Sequence, residues 1–179
     1  MKKINYLQIY FLVFLISLVP KILIIIYFPP IIEGNDQETY LRIARNILSG
    51  CGISSDPDTN NCSIESLGPK MPGYPILLAV IMMFSESSYF LIKIFNAFVL
   101  SFSIIYFLSK LKNFIKSKYL FLILGIILSL SPISLPWSRF ILTESISIAI
   151  TLIIFAELFQ LVQNKKLNII RFSLFLIIA

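Results

Sequence analysis

The sequence has no histidine, only two cysteines, one tryptophan and six glycines, and just fifteen basic and nine acidic residues in a chain of 179. Without histidine there can be no Ser-His triad, no His-ligated zinc or haem and no imidazole proton shuttle. Acid–base chemistry therefore falls to the nine carboxylates. The sequence also lacks a Gly-rich phosphate loop, a metal-ligating cysteine set and a nucleophile elbow. Charged residues make up 13% of the chain, about half the quarter usual in a soluble domain. What fills the space is apolar: 58% hydrophobic residues and a mean hydropathy of +0.89. These residues come in runs of about 20, the length that crosses a hydrocarbon core about 30 Å thick. A soluble enzyme is thereby excluded, and an all-α, polytopic transmembrane helical bundle is expected.

The formal charge of +6 does not point to nucleic acid once the positions are read. Lys2 and Lys3, then Lys110, Lys112, Lys116 and Lys118, then Lys165, Lys166 and Arg171 form three short basic stretches free of acidic residues. That is the signature of cytoplasmic loops. Seven of the nine carboxylates lie between Glu33 and Glu86. The chain is thus expected to be polarised, with a cytoplasmic N-terminus, as a multi-pass integral protein of a bacterial inner (plasma) membrane.

Read as one transmembrane domain over 1–179, the chain gives spans at about 4–28, 89–108, 119–135 and 140–162, and a partial fifth at 167–179. A cleaved signal peptide is the rival for the first. Its apolar run exceeds the usual length of about 7–15 residues, and no small-x-small site follows, so an uncleaved anchor is expected. Lys21 is expected to snorkel to the outer interface. Residues 29–71 form a long non-cytoplasmic loop, and the apolar segment 72–84 is too short to cross and reads as re-entrant or interfacial. This choice keeps all three basic stretches on one side. The last run stops at Ala179 with no polar terminus, as expected of the N-terminal part of a longer protein.

Within the outer loop, Asn35 and Glu38 read as a capping box and Gly50 as a helix stop. Between them Tyr40, Leu41, Ala44, Ile47 and Leu48 keep helical spacing, with Arg42, Arg45 and Asn46 elsewhere on the circumference. An amphipathic helix on the membrane surface fits. Asp36 and Tyr40, four residues apart, share a face; Asp36 could take a proton from a hydroxyl or merely complement the helix dipole. Lys70 precedes a Pro72-Gly73-Tyr74-Pro75 bend and offers a cation to a phosphate headgroup or simply to the interface. Arg139 and Glu144 flank the outer end of the fourth span, and a carboxylate inside a span is a functional candidate by default. Glu157 is expected to pair with local lysines. Lys93 and Asn96 are candidates for the same outer cavity. Cys51 and Cys62 could form a disulfide if the loop faces an oxidising compartment.

In order, Gly34-Asn35-Asp36-Gln37-Glu38-Thr39-Tyr40, Lys70-Met71-Pro72-Gly73-Tyr74-Pro75, the Lys93 to Asn96 stretch and Leu142-Thr143-Glu144-Ser145 resemble the N-terminal part of the membrane-embedded C-type glycosyltransferases, the superfamily of protein mannosyltransferases and lipid A aminoarabinose transferases. Met71 and Ser145 stand where the family-like pattern has proline. The resemblance implies transfer of a sugar from a polyprenyl-phosphate donor to a lipid, glycan or protein acceptor on the non-cytoplasmic side, with inversion. It further implies Asp36 as catalytic base, Glu144 as a second catalytic acid residue that orients substrate or a divalent metal ion, and Lys70 as holder of the phosphate. Tyr40, Tyr74 and Arg139 would bind substrate. No nucleic-acid partner and no further cofactor are implied. A transporter component and a non-catalytic membrane subunit are the alternative classes.

Overall fold

The computed structural model describes residues 5–28, 35–55, 72–84 and 89–164. Among them there are seven helices and no strand: α1 (Tyr6–Tyr27), α2 (Asn35–Leu48), α3 (Gly73–Met82), α4 (Tyr89–Leu111), α5 (Lys118–Ser129), α6 (Ser134–Trp137) and α7 (Thr143–Asn164). Three are long and apolar enough to cross a membrane: α1, α4 and the Thr143–Leu161 part of α7. The partial fifth span lies outside the described residues. The chain divides into two compact units, one of Met1–Pro29, Ile94–Arg139 and Glu144–Ala179, the other of Pro30–Lys93 and Phe140–Thr143.

The first unit is built on α1, α4 and α5. Ile9, Val13, Ile104, Leu108 and Phe121 form its buried core, and Tyr6 and Tyr10 both meet the Phe121 ring edge-on at 5.6 Å. Helix α1 starts where the Asn5 N–H donates to Gln8 Oε1 at 3.0 Å. The Lys112 and Lys118 ammonium groups stand 4.6 and 5.3 Å from the centre of the Tyr6 ring. Lys110 is 3.9 Å from Glu157, whose carboxylate also accepts from the Tyr106 hydroxyl, while Phe159 packs on Phe107 and Phe114. The start of α1, the end of α4, the start of α5 and the end of α7 therefore share one end of this unit. The basic residues from Lys110 to Lys118 gather there.

Two expectations change in this unit. Lys21 does not snorkel: it is 0% exposed, donating to Ser17 O at 2.9 Å and Ser17 Oγ at 2.7 Å. Ser17 Oγ in turn donates to Ser101 Oγ at 3.0 Å. This hydroxyl seam between α1 and α4 gives the ammonium acceptors that lipid cannot supply. The run at 119–135 is also not one helix. α5 has 12 residues, about 18 Å at 1.5 Å per residue, and Pro132 prevents continuation because it lacks an N–H and disfavours helix in the residue before it. Ser134 Oγ, with a single proton to donate, lies 3.2 Å from each of Leu128 O, Ser129 O and Ser131 O, carbonyls at the break.

In the second unit α2 packs on α3. Its C-terminus closes as a Schellman turn: Gly50 adopts φ +86°, its N–H donates to Ile47 O at 3.2 Å, and the Cys51 N–H donates to Asn46 O at 2.8 Å. The turn brings the chain back over the helix, so Asn46 is buried with Nδ2 donating to Ser54 O at 2.7 Å. Asn46 thus belongs to the inner face, together with Tyr40, Leu41, Ile43 and Ala44, while Leu48 is 42% exposed. Helix α3 has ten residues, about 15 Å long and half of a hydrocarbon core. Helix α7 begins at Thr143 and not at Phe140; ahead of it the Ile141 N–H donates to Gln37 Oε1 at 3.0 Å.

A Cβ on Gly125 would stand 2.7 Å from Val13 Cγ2 and 3.2 Å from Leu108 Cδ1. Gly125→Leu is therefore expected to destabilise the protein by about 1–3 kcal/mol, as overpacking does, read as a lower unfolding midpoint in detergent, with Val13→Ala restoring part of the loss. An unchanged midpoint would contradict the close approach of α1 and α5. Gly50→Ala should cost ~1 kcal/mol through the left-handed conformation at that position, and equal stability of the two proteins would contradict the turn.

Candidate functional site

The second unit forms an open cavity of about 340 Å³, lined by Gln37, Glu38, Leu41 and Arg45 of α2, Tyr89 and Lys93 of α4, and Ile141. The α2 contributors fall at successive turns, 37, 41 and 45, so one stripe of the helix faces the cavity. Gln37 is buried and holds the Ile141 backbone, fixing one wall. Arg45 donates through Nη2 to the Tyr89 hydroxyl at 2.6 Å, which orients the guanidinium across the gap between the two helices. The charge is unequal. Glu38 pairs with Arg42 at 3.3 Å, one turn along the same helix, which leaves the two cations Arg45 and Lys93 as the dominant charges of the lining. Lys93 has no hydrogen bond or ion pair among the described residues.

Asp36 is exposed on the first turn of α2, one residue before the cavity-lining Gln37. Tyr40, by contrast, is 8% exposed and meets Tyr74, 7% exposed, edge-on at a centroid distance of 5.5 Å. Asp36 and Tyr40, four residues apart on α2, thus differ in exposure: Asp36 is open to the surface, and Tyr40 is buried against Tyr74 of α3. The tyrosine pair couples α2 to α3 and so holds the cavity wall in place. Arg139 and Glu144 belong to the first unit, where one carboxylate oxygen of Glu144, Oε2, is buried with no hydrogen-bond partner among the described residues. Asn96 is buried in that unit. Cys51 is disulfide-bonded; the other cysteine of the chain, Cys62, and Lys70 lie outside the described residues.

Sequence reasoning picked out Lys93 for an outer cavity, on the ground that a cation in an apolar span needs a reason. It passed over Gln37, Tyr89 and Arg45 as cavity residues. The i, i+4, i+8 spacing of 37, 41 and 45 was the available signal, masked by the stronger apolar stripe beside it. For a divalent metal the donors are insufficient: among the described residues no three His, Cys, Asp or Glu side chains gather, and no step is built on one. The chain matches no protein-family model, no curated protein and no solved structure.

Proposed function

We propose that the chain is a glycosyltransferase, or the N-terminal part of one, that moves a sugar from a polyprenyl-phosphate donor to a hydroxyl acceptor at the non-cytoplasmic face of a bacterial plasma membrane. The observation that carries this reading is the placement of Asp36. An exposed carboxylate stands in the first turn of α2, the strongly amphipathic helix among those described, one residue before Gln37 of a cavity whose dominant charges are positive. A base beside a cationic cavity is what inverting transfer from a phosphate leaving group requires.

In this reading Asp36 takes the acceptor proton as the acceptor oxygen bonds to the anomeric carbon. The bond from that carbon to the donor phosphate breaks, and the electron pair stays on the lipid phosphate. Lys70 and neighbouring cations stabilise the charge gained by the leaving oxygen. In the other unit Glu144 and Arg139 are the residues proposed to contact substrate, Glu144 through Oε2, which has no hydrogen-bond partner among the described residues. Tyr40 and Tyr74 hold α2 on α3 beneath the site. The topology proposed is an N-terminus in the cytoplasm, four spans, the third made of α5 with the α6 segment, and a partial fifth. The shared end of α1, α4, α5 and α7 supports it, because the described basic stretch from Lys110 to Lys118 gathers there and a positive-inside chain keeps such residues on the cytoplasmic side. A transport component is the second reading, favoured by Lys21 and Lys93, two cations within apolar helices.

Sugar transfer from a polyprenyl-phosphate donor, measured for the full-length protein in membranes, tests the proposal. Asp36→Asn is expected to lower the rate about 10²- to 10⁴-fold, the usual contribution of a general base, with donor binding retained. Undiminished transfer by this variant would remove Asp36 from the mechanism.

A further inference from the structure

The Arg45–Lys93 cavity has features that the proposed reaction does not by itself explain. Lys93 occupies the second turn of α4, a helix long and apolar enough to cross a membrane, and its ammonium lacks a counter-charge among the described residues. A cation in that position is retained only when something pairs with it. The nearest carboxylate of the lining, Glu38, is engaged by Arg42. Across the cavity the Arg45 guanidinium is braced by the Tyr89 hydroxyl at 2.6 Å, a bond that uses one of its five N–H groups and leaves the others to donate. A planar fork and a point charge facing one space make a receptor for a tetrahedral oxyanion, the fork giving paired hydrogen bonds and the lysine neutralising charge. The volume, about 340 Å³, is at the small end of the range for ligand sites, roughly 300–1,000 Å³. It suits a headgroup and not a protein segment.

We infer that Arg45, Lys93 and Tyr89 form a binding seat for a phosphate monoester, with Arg45 and Lys93 contacting the phosphate oxygens and Tyr89 orienting Arg45. The seat stands on the geometry of this one unit. Naming its occupant as the phosphate of a polyprenyl carrier rests on the glycosyltransferase reading. In that case Arg45 of α2 and Lys93 of α4 are the neighbouring cations that hold the leaving group together with Lys70.

The test is binding by the chain in a phosphate-free maltoside detergent, followed by ³¹P NMR, with three probes: a short polyprenyl monophosphate, the corresponding polyprenol as competitor, and inorganic phosphate. The expected result is that the lipid phosphate binds, that polyprenol does not compete at equal concentration, and that Lys93→Met and Arg45→Gln each weaken binding about 10- to 100-fold, the scale of one hydrogen bond to a charged group. Lys93→Arg should restore most of the affinity, and far-UV circular dichroism should match wild type in all three variants. Inorganic phosphate bound as tightly as the lipid, and lost in the same variants, would keep the seat but make its source a free phosphate. Binding unchanged in Lys93→Met and Arg45→Gln would overturn the inference. Sugar transfer, assayed beside binding for wild type and the two cavity variants, separates the two readings. Normal binding without sugar transfer by wild type would end the glycosyltransferase proposal and leave the seat; transfer that survives both cavity substitutions would do the reverse.

Discussion

Hydrocarbon offers no hydrogen-bond partner, so each backbone group and each charge carried into it must be satisfied by the protein itself. The arrangement of the described residues follows from this constraint. The backbone answers it with helices alone. Lys21 answers it by turning onto Ser17, which is tied to Ser101 on the facing helix, and Glu157 by taking the Tyr106 hydroxyl and the nearby Lys110. Lys93 is the exception. Its ammonium faces a cavity, and the partner it lacks is the strongest indication of a ligand.

The same constraint explains how so few charges can be functionally dense. Seven of the nine carboxylates fall between Glu33 and Glu86, and the basic residues from Lys110 to Lys118 gather at the shared end of α1, α4, α5 and α7. Helix α2 combines both requirements. Its inner stripe of Tyr40, Leu41, Ile43 and Ala44 is buried, which fixes it on α3. Its adjoining stripe of Gln37, Leu41 and Arg45 is thereby aimed into the cavity, and its first turn presents Asp36. Packing on one face thus sets the direction of the chemistry on the next.

The apolar runs made the helical class and the positions of α1, α4 and α7 legible in the sequence, since hydropathy over about 20 residues integrates a strong signal. Helix α2 was equally legible from its apolar spacing and from Gly50 at its end. The break after Ser129 was not, because the apolar run continues through Ile133 and Leu135 and hides what Pro132 does to the backbone. Burial of Asn46 and Lys21 could not be read either. Each depends on a partner, Ser54 or Ser17 with Ser101, whose proximity is created by a turn or by the pairing of two helices. The cavity was legible only as an anomaly, a lysine within an apolar span; Arg45 and Tyr89 became part of it through a contact 44 residues apart.

The topology proposed for the chain puts Asp36 on the non-cytoplasmic side of a membrane and Lys112 on the cytoplasmic side. Single cysteines at Asp36 and Lys112, each introduced after Cys51→Ser and Cys62→Ser, report on this directly when intact cells are treated with a membrane-impermeant thiol reagent. The account predicts that the cysteine at Asp36 is labelled in intact cells and that the one at Lys112 is labelled only after the membrane is opened. Labelling of both from the same side would contradict it.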